Sequence, residues 1–379
     1  MWQLDYSYDS VPIGDLFPIS SGFTSKIERN GVGSINFSVS LRKLKQFCDD
    51  LQFDITRMFT PLKSSIKMID RDGTSKTMGG FLAATPQFSF GSSADATVAF
   101  TFVGWLGFTA GGYMIPPYSY NANFDYVAQR AIELMVERSY IAGAIWPISA
   151  SPSLNVLPVV SGTLDAPKTL KDFLLERADN TEGTGTFDVY ADPDGVISLY
   201  EKYGFDISAD NTFVYPDDGT KYGLKGIDFP QWDRYISDMF LTGAGNGYSS
   251  TSGEEGAAIF SEARNTDTIA NTGYWQYASS ESDISDQTTL DAKATSYVKD
   301  TDKPFSTPNL KLDGDNFKVY DHDQGGDLWL GDVITVNTTG WVDGLLPLET
   351  PLTLRINSVD MTIDKTGHCD LALGMMADG

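Results

Sequence analysis

The run Asp321-His322-Asp323-Gln324-Gly325-Gly326-Asp327 is where residue types and spacing come nearest to chemistry. Asp321, Asp323 and Asp327 fall at positions 1, 3 and 7 of a calcium-type loop, with Gly326 at 6 and Asp332 at 12. Position 5 is Gly325, which offers no ligand, position 12 calls for a bidentate Glu, and no helix pair flanks the run. An acidic turn between strands accounts for it better, and the three aspartates remain weak metal candidates. Asp70-Arg71-Asp72-Gly73, Asp192-Pro193-Asp194-Gly195, Asp217-Asp218-Gly219 and Leu312-Asp313-Gly314-Asp315 also read as turns. Asp-Gly favours positive φ, and an Asp side chain bonds its own backbone.

Other chemistry finds less support. The chain has two cysteines and two histidines, with His368-Cys369 adjacent, so no spaced zinc motif can be built. Cys48 and Cys369 are expected as free, buried thiols, since a chain this long needs no staple, although the sequence leaves a disulfide open. Nothing local supports a cysteine nucleophile beside His322 or His368. Among 51 carboxylates no pair is singled out for glycoside hydrolysis. Gly243-Ala244-Gly245-Asn246-Gly247 follows a strand, but no βαβ unit surrounds it, so it reads as a flexible loop. Nucleophile elbows and phosphate-binding Gly-Lys-Ser/Thr loops are absent. No catalytic residue and no cofactor is expected, and the weight moves to a structural or interaction role.

Composition narrows the partners. A net charge of −24 opposes nucleic-acid binding and attachment to anionic lipid. No apolar run approaches the roughly 20 residues of a membrane helix. The start, Met1-Trp2-Gln3-Leu4-Asp5-Tyr6, lacks a basic and an apolar region, so no signal peptide is expected. Residues 1–60 hold 7 acidic and 6 basic side chains, whereas residues 206–379 hold 29 and 11.

The elements that must position these residues read mostly as strands. Trp2–Tyr8 alternates, and Phe23–Ile27 and Ser34–Val39 flank Asn30-Gly31, which suits a type I′ turn. Ser40 is expected to cap a short helix with Leu41, Leu44, Cys48 and Leu51 on one face. Hairpins are expected around Asp70–Gly73 and between Gln87–Phe90 and Ala96–Val103. After Met114-Ile115-Pro116-Pro117 come two helices, about Asp125–Arg138 and one capped by Thr169, then a hairpin turning at Asp192–Gly195. Strands return after Leu224, with a helix at about 286–299 carrying Leu290, Ala294, Tyr297 and Val298 on one face. The fold class is thus mainly β with an α+β middle segment: two barrel- or sandwich-like β domains and a smaller α+β domain. The boundaries fall at 1–114, 115–222 and 223–379, with a long loop insertion at about 243–286.

This order of parts resembles the hub proteins at the distal end of tailed-phage tails, the family of baseplate hubs and siphophage tail-tip proteins. The matching patterns are Gly33–Val39, Gly79-Gly80-Phe81 before the strand 96–103, and Thr169–Leu174 leading to Phe187-Asp188-Val189 and Asp194–Tyr200. Leu290–Val298 followed by Gly331–Val336 and a last strand ending Leu371-Ala372-Leu373 completes them. The resemblance implies a homotrimer whose two tube-like β domains per chain form a pseudo-sixfold ring in the virion. That ring would join a tail tube or distal tail protein to a tip, fibre or tape-measure protein and line part of a DNA-ejection channel. Many relatives carry C-terminal extensions with fibres or hydrolases. This chain ends six residues after Leu373, so such activities are expected of partners. Two other classes compete: an adhesin or carbohydrate-binding module using Trp275, Tyr277 and Trp341, and a polymer-cleaving hydrolase with a carboxylate pair.

Overall fold

The computed structural model describes residues 2–90, 96–116, 118–141, 147–154, 156–157, 159–164, 166–179, 187–209, 211–228, 236–243, 259–266, 269–270, 274–281, 287–300, 308–338 and 351–377. The N-terminal strands are β1 (Gln3–Tyr8), β2 (Val11–Asp15), β3 (Ser20–Glu28), β4 (Ser34–Ser40), β5 (Ser64–Ile69), β6 (Lys76–Leu82), β7 (Gln87–Ser89) and β8 (Thr97–Gly104). Helix α1 (Leu41–Asp50) lies between β4 and β5. The middle holds β9 (Tyr113–Met114), β10 (Tyr118–Asn123), α2 (Phe124–Ile141), β11 (Ser149–Ala150), β12 (Val159–Leu164), β13 (Lys168–Thr169), α3 (Leu170–Asp179), β14 (Asp188–Ala191) and β15 (Val196–Tyr200). Then follow β16 (Thr212–Tyr215), β17 (Gly226–Asp228), β18 (Asp238–Thr242), β19 (Phe260–Arg264), β20 (Gln276–Ser280), α4 (Gln287–Asp300), β21 (Asn309–Asp313), β22 (Val333–Thr338), β23 (Leu352–Asp364) and β24 (Cys369–Ala377). The protein is mainly β with few helices, as its alternating strand patterns predict.

A 14-stranded sheet joins the two ends of the chain. Its path runs β17-β21-β24-β23-β3-β4-β8-β6-β5-β1-β2. The 13-residue strand β23 is the hinge of this arrangement. Along one edge, Leu352–Arg355 pairs with β22 and Ser358–Asp364 pairs with β3, while the other edge pairs with β24. An irregularity between Ile356 and Ser358 separates the two stretches. A bulge of this kind lets one strand turn from one sheet neighbour to the next. On the C-terminal side the ladder closes. β22 pairs with β16, β16 bridges Val214 to Gly223 just before β17, and β17 returns through β21 to β24. One continuous core fills both halves, from Trp2, Leu4 and Phe37 to Trp329, Ile356 and Leu373.

A second core lies under the middle elements. Phe124, Val127, Ala131 and Met135 of α2 pack with Leu170, Phe173 and Leu174 of α3, and with Phe81, Trp105 and Ile197. This explains Gly79-Gly80-Phe81. β6 is covered on both faces, with Met78 and Leu82 in the first core and Phe81 in the second. A Cβ at Gly79 would collide with the Pro193 carbonyl, so only glycine lets the 192–195 turn seat there. Thr169 caps α3 as predicted, its hydroxyl accepting the Asp172 amide at 3.0 Å.

The chain forms one compact unit of Met1–Asp179, Phe187–Asp228 and Pro308–Gly379, and a second that includes Phe229–Thr307. In the second, β18 is the centre of a three-stranded sheet, antiparallel to β19 and parallel to β20. Leu290, Ala294 and Val298 of α4 cover Met239 and Leu241. The segment 243–286, predicted as a loop, therefore contributes β19 and β20; their weak period-2 patterning (Phe260–Arg264, Gln276–Ser280) hid them. The late helix covers that small sheet and is not an element of the closed C-terminal ladder.

Three local expectations are corrected. The Asn30-Gly31 link is not a two-residue turn: Asn30 has positive φ, but the other positive φ falls at Gly33. The reason is that β3 leaves β4 after Lys26 and continues along β23 to Glu28. Ser40 occupies the N-cap without a side-chain bond, and the Leu41 amide donates to the Ala96 carbonyl at 2.8 Å. Leu51 follows the last turn of α1 and is exposed, so the buried face is Leu44 and Cys48.

Candidate functional site

The structure does not bring the calcium-loop residues to a common centre. Asp321 accepts the Tyr203 hydroxyl and the Asp323 amide, while Asp327 accepts Lys221 Nζ at 3.0 Å and the Lys318 amide at 3.2 Å. Asp332 is fully buried. It accepts the amides of Phe205 at 3.0 Å and Trp329 at 2.7 Å, and His322 Nε2 lies 2.7 Å away. Burial pushes its carboxyl above the usual range, against the pull of those donors. Asp323 is exposed, in the middle of the short turn His322–Gln324. Asp321, Asp327 and Asp332 thus serve separate bonds, those of Asp321 and Asp327 reaching Tyr203 and Lys221 far along the chain.

Among the described residues, the group of three potential ligands within 4.8 Å of one another is Asp313, Asp315 and His368. Sequence reading assigned Asp313 and Asp315 to a turn. His368 joins them only because β21 and β24 pair, with Asp313 opposite Asp370. The cluster is already supplied with donors. Asp315 accepts Arg71 Nη1 at 2.6 Å and the Cys369 amide at 3.1 Å, and His368 Nδ1 lies at 2.6 Å. Lys225 sits 3.5 Å from Asp313. The bond to Asp315 raises the His368 pKa, so this group favours an imidazolium over a metal ligand.

The densest buried polar site is structural. Asp188, at the start of β14, is buried between two guanidiniums. Arg29, from the β3–β4 connection, donates Nε to its Oδ1, and Arg355 of β23 donates Nη2 to its Oδ2 at 2.8 Å. The Tyr203 amide donates to the same Oδ2 at 2.8 Å. Arg355 also donates to the carbonyls of Gly331, at 3.0 Å, and Tyr203. One carboxylate therefore ties the N-terminal strands, the middle hairpin and the closed C-terminal ladder together. A few residues away Trp105 Nε1 donates to the Pro193 carbonyl at 3.0 Å, and Lys67 and Lys76 both pair with Asp194. In the sequence Asp188 stands only as part of the Phe187-Asp188-Val189 pattern, with no sign of this role, since its partners lie 159 and 167 residues away.

Cys48 and Cys369 are both free and buried. Burial raises their thiols to about 11 and about 12, so neither is a nucleophile at neutral pH. On the small sheet of the second unit, Phe260, Tyr274 and Trp275 are exposed. Trp341 and most of Gly243–Gly247 lie outside the described residues.

A mainly β chain whose two ends share one sheet through a long common strand, with a helix-bearing module between them, defines a fold found in phage tail proteins. The structure is similar to a 43 kDa tail protein of prophage MuSo2 from Shewanella oneidensis (TM-score 0.60, 11% identity, covering 99% of this chain and 98% of that one). It is also similar to a tail protein from Neisseria meningitidis MC58 (TM-score 0.61, 12% identity, 100% and 97% covered). A third, the prophage tail protein gp18 from Listeria monocytogenes EGD-e, gives a TM-score of 0.52 at 10% identity, with 100% and 95% covered. No protein-family profile matches the sequence, and no curated protein matches it. At these identities the likeness shows the fold, and at that level the resemblance drawn from the sequence is borne out.

Proposed function

We propose that the chain is a structural component of a phage-type tail, working as a trimeric hub ring at the distal end of the tail in the virion. The observation that carries this reading is the end-to-end likeness to three tail proteins, in both chains' lengths. The sheet topology supports it. Each chain supplies an N-terminal set of strands and a closed C-terminal ladder, joined through β23. Three such chains give six β modules, the number a threefold tip needs to meet a sixfold tail tube or distal tail ring. In this reading an outer middle domain follows residue 114, and the second tube-like domain takes in β16 (Thr212–Tyr215), ahead of the 222/223 boundary expected from the sequence, because β16 pairs with β22. The partners are the tube or distal tail protein on one side and a tip, fibre or tape-measure protein on the other.

The role is non-enzymatic and needs no cofactor. The excess acid has a place in it: carboxylates along a channel wall repel passing DNA, where a basic wall would hold it through phosphate contacts. Negative-stain electron microscopy of the purified chain tests the ring. End-on class averages with threefold symmetry, six lobes and a central pore are expected; compact monomers at all concentrations would count against it. A second reading, a carbohydrate-binding adhesin, draws on the exposed Phe260, Tyr274 and Trp275. Saturable glycan binding by a monomer would favour it.

A further inference from the structure

The ladder between β5 and β6 breaks at Thr77: Met68 faces Met78, but Ile69 faces Lys76. A bulge of this kind leaves its extra residue out of the pairing and re-aims that residue's side chain. Thr77 is 1% exposed, and its Oγ1 is buried with no partner in the protein. Burying a hydroxyl without a bond is costly, and such groups are almost always satisfied by protein or by ordered water.

Thr77 lines a cavity of about 30 Å³, together with Glu28, Gly31, Val32, Gly79 and Gly104. Val189–Ala191 of β14 also line it. The glycines show where its walls lie. A Cβ at Gly104 would collide with the Val32 carbonyl oxygen, one at Gly31 would come to 3.1 Å from Glu28 Oε2, and one at Gly79 would meet the Pro193 carbonyl. Side chains therefore cannot grow into the space from these positions. Val32 lies outside the β3–β4 ladder, whose last pair is Lys26 with Ser34. The Trp105 indole N–H, also at the cavity, is already given to the Pro193 carbonyl at 3.0 Å. The Thr77 hydroxyl, the Val32 carbonyl and the Glu28 carboxylate thus offer oxygens to an occupant.

Size and chemistry select that occupant. About 30 Å³ holds one water molecule, two at most, and no organic ligand. Carbonyl and carboxylate oxygens call for a hydrogen donor, and the Thr77 hydroxyl can donate in turn. A wider hollow of about 400 Å³ shares Glu28, Gly31 and Val32 with the cavity, which gives solvent a route in. We propose that the cavity binds an ordered water molecule that accepts a hydrogen bond from Thr77 Oγ1 and donates to the Val32 carbonyl and the Glu28 carboxylate. The water then fastens β6 to the β3–β4 connection, where the Val189 amide also donates to Asn30 at 2.8 Å. It belongs to the interior of one chain and does not depend on the ring.

The test compares the full chain with Thr77→Val, which keeps the shape of the side chain and removes its hydroxyl. The two possibilities differ in sign. In a dry cavity the valine replaces an unpaired buried hydroxyl, so the variant should equal or exceed the parent in stability. With the water bound, the variant strips it of a partner, and the unfolding equilibrium should shift about fivefold toward the unfolded state, read by urea and tryptophan fluorescence. Circular dichroism of the folded variant should be unchanged. A crystal structure of the parent gives a readout that needs no variant: a density peak is expected about 2.5–3.0 Å from Thr77 Oγ1. A variant as stable as the parent, or a parent crystal with no density in the cavity, overturns the proposal. A peak held by several oxygens at about 2.4 Å would be a cation and overturns it as well.

Discussion

Removing the Asp188 carboxylate should cost more stability than any single surface change. In Asp188→Ala, Arg29 and Arg355 lose their shared acceptor while their side chains stay 12% and 7% exposed. The Tyr203 amide also loses its partner. Removing one partner of a buried charge pair costs about 3–5 kcal/mol, because the other charge stays desolvated. That is a large share of the roughly 5–15 kcal/mol that holds a folded protein together. The loss should appear in urea unfolding followed by tryptophan fluorescence, since Trp105 and Trp329 are buried close to this junction. It should persist in roughly 1 M salt, because buried pairs are poorly screened. The apolar triple Arg29→Met/Asp188→Leu/Arg355→Met should recover only part of it. Arg355 also serves the Gly331 and Tyr203 carbonyls, and an unpaired buried acceptor costs about 1–3 kcal/mol. A loss in Asp188→Ala below about 1 kcal/mol, or one that salt halves, would refute the reasoning that this triad is buried and fastens three parts of the chain.

Other outcomes follow from single sites. Burial opposes ionisation of Asp72, but bonds from the amides of Ser75 and Thr74 and the hydroxyls of Ser75 and Tyr320 outweigh it and hold the carboxyl well below 3.8. Its stabilisation is therefore present above pH 3.8 and lost as pH falls below it, so the stability gap between the parent and Asp72→Asn should shrink on acidification. Asp332 has the opposite sign: its raised pKa makes its ionised form a burden that protonation relieves, and Asp332→Asn should gain relative to the parent as pH rises above 3.8. Gly79→Ala should lose about 1–3 kcal/mol by pushing the 192–195 turn off β6, read by thermal unfolding. An aromatic disulfide reagent at neutral pH should titrate no thiol in the native chain and both in denaturant.

Much of the fold was legible because short-range pattern and burial coincide along most strands. Ile35, Phe37 and Val39 of β4 alternate inward, as do Val98, Phe100 and Phe102 of β8, and a period of two leaves little choice of conformation. Helices α2 and α3 and the Asp192–Gly195 turn were legible for the same local reasons. The small sheet of β18–β20 was not, since two of its strands are largely exposed and lack an apolar period. Of the candidate site, the sequence marked the acidic turns but not what they serve. It could not find Asp188, whose meaning depends on partners far along the chain, nor the approach of His368 to Asp315.

Composition and periodicity are local properties, and from them the chain reads as acidic, mainly β and without a recognisable catalytic motif. Tertiary structure alone decided that the first and last strands share one sheet across β3 and β23, that β6 serves two cores, and that Arg29 and Arg355 meet on one aspartate. Pairing partners and buried ions are choices made between distant segments. Strand edges are chemically alike until packing selects which two will meet.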